Sequence, residues 1–518
     1  MANLVFLSLF MFPLLIFSYF LLKFSYSILL KPKLLEKRLK QQGFKGTHYK
    51  LLLGDLKDVG KQMDEAWSKP ISLTHDIVPR VDPFTHYMVE KYGKISLSWL
   101  GTSPRLIIMD PTLIKEILLN KQGHFHLPPL NPLILILTKG LTTLHGEKWD
   151  MHRKIINPAF HLEKLKGMIP TIAESCAFMI EKWMNSISHE GTSEIDIWPA
   201  FQDLTGDIIS RTAFGSSYKD GKNILELQKE LQQLVIEAMG MLYYIPGFRF
   251  VPTKKNRRRK ELDRRITSML KRIVDTKDNM ISTGQTRGDD LLGLLLQTNK
   301  ENNSLNNSHM TMEDIIEECK QFYLAGHETT SSLLTWTLIV LAIHQDWQEK
   351  ARQEVLHVCK EKNPDAEAIS HLKIVTIILN EVLRLYPPVI ALYKRAYKEC
   401  RIGDLSIPEG MDLTLPIMLI NRDTELWGED AEEFKPERFA EGISNACKDQ
   451  TQMAFMPFGW GPRTCIGQNF VMIEAKVALS MILKQFTFKL SPTYAHAPYT
   501  VMTLQPQHGA QIMFHRLN

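Results

Sequence analysis

The stretch FGWGPRTCIG, Phe458 to Gly467, holds one cysteine among glycines, with an arginine two residues before it. Glycine is used where a chain turns sharply or lets another group approach its backbone. A cysteine that only fills a core needs neither the glycines nor the arginine. A thiolate bound to haem iron uses both, because backbone N–H groups can bond its sulfur and Arg463 can meet a propionate. The pattern FxxGxRxCxG therefore predicts that Cys465 is an axial haem ligand.

A second group of polar residues lies in AGHETT, Ala325 to Thr330, in the middle of a long helical pattern. A glycine such as Gly326 costs a helix about 1 kcal/mol relative to alanine, and the threonines can bond back to carbonyl groups and bend the helix. A helix that only fills a core gains no stability from this sequence. His327 is more often a satisfied core residue than a ligand at such a position, and we interpret it so.

Two residue pairs have the spacing of neighbours on one helix face. Trp149 and Arg153 stand four apart in EKWDMHRKI, and Glu381 and Arg384 stand three apart in NEVLRLYPP. Taken alone, the first pair fits any amphipathic helix and the second fits a surface ion pair. Their interpretation depends on the other motifs.

Together these motifs, in their order along the chain, resemble those of the cytochrome P-450 superfamily. The resemblance implies a mainly α fold with small β-sheets (α+β), forming a single domain that binds haem b (iron protoporphyrin IX). It implies that the haem and its propionates are contacted by Cys465, Arg463, Trp149, Arg153, Arg395, Phe458, Ala325 and Gly326. It implies catalytic roles in oxygen activation for Thr329 and in proton relay for Glu328. Glu381 and Arg384, with Arg438 from the PERF motif, would form a structural triad.

QQGFKG, EVLRLYPPV and APYTVMTLQPQHGA are similar to the plant subfamily that contains secologanin synthase. That similarity implies a monooxygenase that uses O2 and electrons from NADPH. A separate cytochrome P-450 reductase would deliver them, since the chain has no GxGxxG or flavin motif. The expected substrate is an iridoid such as loganic acid, loganin or a deoxy precursor; the alternative is a triterpenoid or a gibberellin-type diterpenoid. Hydroperoxide rearrangement and non-catalytic haem carriage are more remote, because Glu328 and Thr329 are both present.

The segments that line the pocket in the family are largely apolar here, which suits a terpenoid skeleton. One of them, QGHFHLPPLNPLILILTKGL, carries two histidines. One interpretation is that both are surface or backbone-bonded histidines. The other is that one of them, His126 in preference to His124, donates a hydrogen bond or carries positive charge to an acidic or glycosylated terpenoid. The candidate substrate residues are His126, His124, Val389, Leu392 and Met502.

Helical patterns dominate the elements that must position these residues. The longest begins at Thr311 and persists to about Ile343, on the order of 50 Å at 1.5 Å per residue. The helix HLKIVTIILNEVLRLY must stop where the proline pair at 387–388 begins. Lys94–Leu100 and Arg105–Met109 flank the turn signal GTSP and predict a hairpin.

The chain begins with an uncharged run, Leu4 to Leu22, close to the roughly 20 apolar residues that cross a bilayer. A cleaved signal peptide is the alternative, but no basic segment precedes the run and no small-residue cleavage site follows it. The basic KPKLLEKRLK then places the remainder in the cytosol. We predict a signal anchor at residues 1–30, a basic juxtamembrane hinge at 31–46 and the haem-thiolate monooxygenase domain at 47–518. The protein would be single-pass in the endoplasmic reticulum membrane.

Composition agrees with a large domain in a reducing compartment. The 518 residues are 44% hydrophobic, and the six cysteines show neither CxxC pairs nor framework spacing. An aromatic segment beside a basic cluster, Met241–Arg265, predicts either a second contact with membrane lipid or a solvated helix face. Nucleic acid is not an expected partner, because the anchor already fixes the location.

Overall fold

The computed structural model describes residues 2–120, 123–187, 191–215, 218–238, 251–306, 309–448 and 452–517. Residues 241–250 of the predicted second membrane contact lie outside the described residues. The chain divides into two compact units. Unit 1 comprises Met1–Lys69, Asp76–Pro128 and Ala391–Ile420, and unit 2 comprises Pro70–His75, Pro129–Ile390 and Asn421–Asn518.

Helix dominates the described residues, as the sequence predicts. In chain order the helices are α1 Ala2–Ser25, α2 Lys31–Gln41, α3 Leu56–Trp67, α4 Val78–Val81, α5 Pro83–Tyr92, α6 Pro111–Leu119, α7 Gly146–Ile156, α8 Leu162–Lys166, α9 Ile169–Ser186, α10 Ile197–Phe214, α11 Tyr218–Ala238, α12 Lys254–Ser282, α13 Leu291–Asn306, α14 Met312–Ile343, α15 Gln345–Cys359, α16 Ala366–His371, α17 Lys373–Leu385, α18 Ile417–Ile420, α19 Thr424–Trp427 and α20 Gln468–Gln485.

The strands are short and form small sheets, which confirms the expected mainly α architecture with accessory sheets. They are β1 Lys45–Gly46, β2 Ile95–Leu100, β3 Ser103–Ile108, β4 Phe125–His126, β5 Thr192–Asp196, β6 Leu392–Ala396, β7 Cys400–Ile402, β8 Leu405–Ile407, β9 Asp412–Leu415, β10 Phe486–Leu490, β11 Pro498–Thr500, β12 Leu504–Pro506 and β13 Gln511–Arg516.

Unit 1 contains a six-stranded sheet of order β1-β2-β3-β9-β6-β4. The predicted hairpin is confirmed as β2 and β3, which pair antiparallel from Ile95↔Ile108 to Leu100↔Ser103. Three residues from neighbouring strands stand opposite one another across this sheet, His126 on β4, Arg395 on β6 and Asp412 on β9. Side chains directly opposite on antiparallel strands lie on the same face. These three side chains therefore form a row.

The amino-terminal helix is largely exposed over residues 14–25. Leu14–Gln41 is a helical stretch long and apolar enough to span a membrane, and none of its most apolar window is buried. A π-helical turn, Tyr26–Leu30, connects α1 to the basic α2. The segment predicted as a hinge is thus helical over most of its length. An apolar first helix followed by basic residues is consistent with a membrane anchor.

The long predicted helix is α14 in unit 2, and its bounds are confirmed. Thr311 and Asp314 form a reciprocal capping box, with each side chain bonded to the backbone N–H of the other residue. The helix ends at Ile343. The second predicted helix, α17, ends at Leu385, two residues before Pro387, because the residue before a proline disfavours helical geometry.

Candidate functional site

The cysteine loop closes on itself immediately before α20. The Cys465 backbone N–H donates to the Phe458 carbonyl at 2.8 Å, so the loop returns to its starting point. Gly459 and Gly461 have φ of 71° and 74°, the left-handed region that favours glycine. The glycines in FGWG are therefore required by the turn that presents the sulfur.

Backbone N–H groups at the start of α20 act on the Cys465 sulfur. Cys465 is accessible to solvent, yet surrounding protein atoms remove enough water from the sulfur to raise the pKa of the thiol. The backbone N–H groups of Gly467 and Gln468 and the charge of Arg153 act in the opposite direction on that pKa. N–H groups at a helix N-terminus carry partial positive charge. This arrangement of donors suits an anionic sulfur.

Two arginines near the loop lack an acidic partner. The guanidinium carbon of Arg463 lies 4.5 Å from the centre of the Trp149 ring, and its Nη2 donates to the Leu144 carbonyl at 2.8 Å. Burial lowers the pKa of both Arg153 and Arg463. Among the described residues, neither guanidinium is within ion-pair distance of a carboxylate. Two half-buried cations beside a cysteine sulfur suit a ligand that carries carboxylates of its own.

Helix α14 is buried on all sides except at one place. From Ile315 to Ala342, all of which the structure describes, every residue is buried apart from Ala325, Gly326 and Thr329. Thr329 stands four residues after Ala325 and three after Gly326, and positions three and four residues apart share a helix face. Thr329 Oγ1 donates to the Ala325 carbonyl at 2.8 Å, within its own helix. Unit 2 thus combines the cysteine loop, Trp149 and Arg153 with a helix that offers one small, hydroxyl-bearing face.

Gly326 has a packing role that the sequence did not reveal. A Cβ at this position would lie 3.0 Å from Cδ1 of Ile209 on α10. The glycine therefore lets α10 approach α14 closely. This contact explains a residue that is unfavourable by helix propensity alone.

The next two residues on α14 point into the protein. Glu328 is buried, and its Oε2 accepts from Thr503 Oγ1 at 3.1 Å. His327 is also buried, and its Nδ1–H donates to the Tyr323 carbonyl at 2.9 Å, while Nε2 lies 3.9 Å from Glu328 Oε1. His327 is thus a hydrogen-bonded core histidine. Thr503 was not identified from the sequence, because it follows Glu328 by 175 residues and no local pattern marks it.

The structure brings Glu381, Arg384 and Arg438 together in unit 2. Glu381 and Arg384 are fully buried and form two parallel bonds of 2.7 and 2.8 Å. Arg438 Nε lies 3.6 Å from the same carboxylate. Arg384 also donates to the carbonyls of Asn421 and Ala431. The triad ties α17 to the segment that precedes the cysteine loop.

Arg395 and three candidate substrate residues belong to unit 1. Arg395 forms bonds of 2.5 and 2.8 Å to the two carboxylate oxygens of Asp412. Its predicted contact with a propionate stays a prediction. The His126 ring packs edge-on against Tyr397, with 5.7 Å between ring centres. The half-buried unit 1 residues predicted to contact substrate are His124, His126 and Leu392.

Val389 and Met502, the remaining candidate substrate residues, belong to unit 2. Both side chains are exposed. Met502 Sδ accepts from Gln232 Nε2 at 3.1 Å, and Met502 immediately precedes Thr503, the partner of Glu328. Met502, which is predicted to contact substrate, therefore lies in the same short loop as Thr503, which bonds the predicted proton-relay residue Glu328.

The residues of unit 2 fit the predicted haem. Cys465 offers a sulfur whose thiol pKa is acted on, in the lowering direction, by the backbone N–H groups of Gly467 and Gln468. Arg153 and Arg463 offer guanidinium groups that no carboxylate in the described part of the chain approaches within ion-pair distance, and Ala325 and Thr329 offer a small exposed face. A thiolate, two cations and a small helix face match the iron, propionates and flat ring of haem.

Comparisons with known proteins agree with this interpretation of the site. The sequence model of the family described as Cytochrome P450 matches residues 79–514. Cytochrome P450 CYP72A616 from Paris polyphylla is 51% identical over 491 residues, covering 94% of both chains. The 11-oxo-beta-amyrin 30-oxidase from Glycyrrhiza uralensis is 50% identical over 495 residues, with the same coverage. A solved structure, the retinoic acid bound cyanobacterial CYP120A1, aligns with a TM-score of 0.75 and 22% identity over 91% of this chain and 99% of that chain. At that identity it shows the fold alone.

Proposed function

Because this chain belongs to the cytochrome P450 family, within the CYP72A subfamily, and is a cytochrome P450 monooxygenase, we propose that it oxidises a terpenoid, with a triterpenoid as the first candidate. The observation that carries this choice is the relative from Glycyrrhiza uralensis, which is named as an oxidase of 11-oxo-beta-amyrin and is 50% identical along 94% of this chain. Family membership implies a haem-thiolate cofactor. The largely apolar candidate pocket segments suit such a skeleton.

An iridoid acid such as loganic acid is the second candidate. Its support is the resemblance of several segments to the subfamily that contains secologanin synthase, together with His124 and His126 in a mostly apolar stretch. A compact iridoid carries a carboxylate and a sugar, so polar donors would contribute more to its binding than to that of an apolar triterpenoid. The two candidates therefore differ in how strongly they depend on these histidines.

We assign the cofactor to Cys465 as thiolate ligand, with Trp149, Arg153 and Arg463 holding the propionates. A thiolate-bound haem supplies oxygen activation and O–O bond cleavage when it receives electrons. The protein contributes position and protons. Thr329 presents a hydroxyl from the exposed face of α14, and Glu328 holds a carboxyl that Thr503 orients. Arg395 is proposed as a further propionate contact.

The electrons are proposed to come from NADPH through a membrane-bound reductase, since the chain carries no flavin or dinucleotide motif of its own. The apolar α1 and the basic α2 support a single-pass anchor with the catalytic part in the cytosol. The endoplasmic reticulum is the proposed membrane. The basic residues of α12, Lys254–Ser282, are proposed to add a peripheral contact with anionic lipid.

Replacing Thr329 by alanine is expected to leave haem binding intact and to divert electrons into hydrogen peroxide. A single neutral hydrogen bond contributes about 1 kcal/mol, so product formed per NADPH should fall about fivefold. Thr330→Ala is a matched control, because Thr330 makes the same bond to the carbonyl four residues earlier, at 2.9 Å, but is buried. Equal coupling in the two variants would reject the assigned role of Thr329.

The substrate proposal is tested by product analysis with membranes that contain the protein and a reductase. The panel is a triterpenoid acid, an iridoid acid and the methyl ester of each. Oxidation of the triterpenoid pair supports the first candidate, and exclusive oxidation of the iridoid pair supports the second. Oxidation of neither class, with intact NADPH consumption on another substrate, contradicts the terpenoid proposal.

His126→Ala is expected to reduce a preference for the free acid over its ester. A hydrogen bond to a charged group contributes roughly 1.5–3 kcal/mol, enough for a tenfold preference or more. His124→Ala tests the neighbouring histidine, and His371→Ala, at an exposed position on α16, is the control. A preference that persists in the variants of both His124 and His126 would remove these residues from the substrate site.

A further inference from the structure

A buried hydrogen bond joins the helix of Trp149 and Arg153 to the helix of Thr329. His152 on α7 donates from Nδ1–H to Glu318 Oε1 on α14 at 2.7 Å. The two side chains are 1% and 0% exposed. Neither residue was singled out from the sequence, because 166 positions separate them.

A second, exposed contact repeats this link one helical turn earlier. Lys148 Nζ lies 2.5 Å from Asp314 Oδ1, and His152 Nε2 lies 3.9 Å from the same oxygen. Lys148 and His152 are four residues apart on α7, as Asp314 and Glu318 are on α14. Residues four apart share a helix face. These two contacts, one buried and one exposed, thus fix the rotation and the register of α7 against α14.

The buried contact between His152 and Glu318 is closely surrounded by other parts of the protein. Glu318 Oε2 and His152 Nε2 have no hydrogen-bond partner among the described residues. A Cβ on Gly140 would lie 2.9 Å from Glu318 Oε2, so the loop that precedes α7 packs directly against the carboxylate. The folded protein is strongly destabilised when a buried polar group loses its one partner. The contact therefore holds the imidazole in one orientation.

That orientation decides where the neighbouring side chains point. Successive residues of an α-helix are rotated by about 100°, so fixing His152 against α14 also fixes the directions of Trp149 and Arg153. The charge of Arg153 acts to lower the pKa of the Cys465 thiol, which places this residue near the sulfur. A rotation of α7 would move both propionate candidates at once.

We propose that His152 is a positioning residue for haem, which acts through its bond to Glu318 by holding Trp149 and Arg153 towards the propionates. The inference rests on the proposed propionate contacts of those two residues. A merely structural histidine would lower the stability of the protein without altering the haem environment. The two roles are separable by measurements on the haem itself.

The test compares His152→Leu with wild type in the full-length ferric holoprotein. The first readout is the rate of haem transfer to excess apomyoglobin, and the second is the propionate bending band in the resonance Raman spectrum. We expect about a tenfold faster transfer, the change that about 1.4 kcal/mol produces, and a shifted band. His152→Gln, which keeps an N–H donor, should recover most of the wild-type rate.

Two further variants make the result decisive. Lys148→Gln removes the exposed contact with Asp314 and is expected to change the transfer rate less than about threefold, because exposed ion pairs contribute little. Arg153→Gln tests the premise directly and should shift the propionate band. If Arg153→Gln shifts the band while His152→Leu leaves both readouts at wild-type values, the positioning role is overturned. If Arg153→Gln also changes nothing, the proposed propionate contact fails and the inference fails with it.

His152→Leu could lower the yield of holoprotein, so Glu318→Gln provides a milder form of the same test. The amide keeps the shape of the carboxylate and an acceptor for Nδ1–H, but weakens the bond. A smaller rise in transfer rate with the same shift in the propionate band supports the proposal. A wild-type rate and band in Glu318→Gln, together with unmeasurable holoprotein in His152→Leu, would assign His152 to folding alone.

Discussion

Replacing Cys465 by serine is expected to abolish turnover and to remove the red-shifted Soret band that a thiolate-bound haem shows in its reduced, CO-bound form. The backbone N–H groups of Gly467 and Gln468 act to lower the pKa of the Cys465 thiol, an effect that favours an anionic sulfur. A serine hydroxyl, whose alkoxide is far less accessible at neutral pH, does not supply the electron donation that thiolate gives to iron. We expect the loss of activity to exceed that of any other single substitution considered.

The CO difference spectrum of reduced membranes checks this result without needing a substrate. Cys400→Ser is the control, since Cys400 is a free, half-buried cysteine on β7 of unit 1. It should keep the full thiolate band. A red-shifted band of normal height in Cys465→Ser would show that another cysteine is the ligand.

Arg384→Leu is expected to prevent the accumulation of folded holoprotein. The guanidinium is 0% exposed and holds Glu381, also 0% exposed, through two bonds, while it donates to carbonyls on the segment that follows β9. Removing one partner of a buried ion pair destabilises a protein by about 3–5 kcal/mol, because the other charge remains buried without compensation. That is a large part of a typical stability of roughly 5–15 kcal/mol.

The chain offers a matched control for this substitution. Arg352 and Glu349 have the same spacing and two bonds of 2.8 Å, but their side chains are 24% and 43% exposed. Arg352→Leu should therefore change stability by less than about 1 kcal/mol. Urea unfolding midpoints and the yield of thiolate-bound haem per total protein measure both variants. Equal midpoints for the two leucine variants would contradict a special role for the buried pair.

Features set by neighbouring residues could be predicted from the sequence. The capping box at Thr311, the end of α17 before Pro387 and the hairpin around GTSP each depend on residues only a few positions apart. The glycines before Cys465 belong to this group as well, since Gly459 and Gly461 are needed for one local turn. Such patterns predict structure because the energies that select them are local.

Contacts between residues distant in the sequence could not be predicted from local patterns, and the contact of Arg438 with Glu381 was expected only from the family resemblance. The bond from Thr503 to Glu328 spans 175 residues, and the bond from His152 to Glu318 spans 166. Arg395 was predicted to face a propionate, but no residue in its own strand indicated that Asp412 on β9 would be its carboxylate partner. These pairs arise from the way separate elements pack, and their residue types alone are common in any helix or strand.

The close approach of α10 at Gly326 makes two positions depend on each other. A methyl group at 326 would sit 3.0 Å from Cδ1 of Ile209, closer than side chains normally pack. An alanine there requires Ile209 to shift by a few tenths of an ångström, whereas a valine at 209 removes the Cδ1 atom and leaves a small cavity beside an intact glycine. In a laboratory selection for altered oxidation, the order of substitution therefore matters. Ile209→Val first makes room for a methyl group at 326, whereas Gly326→Ala first requires Ile209 to move.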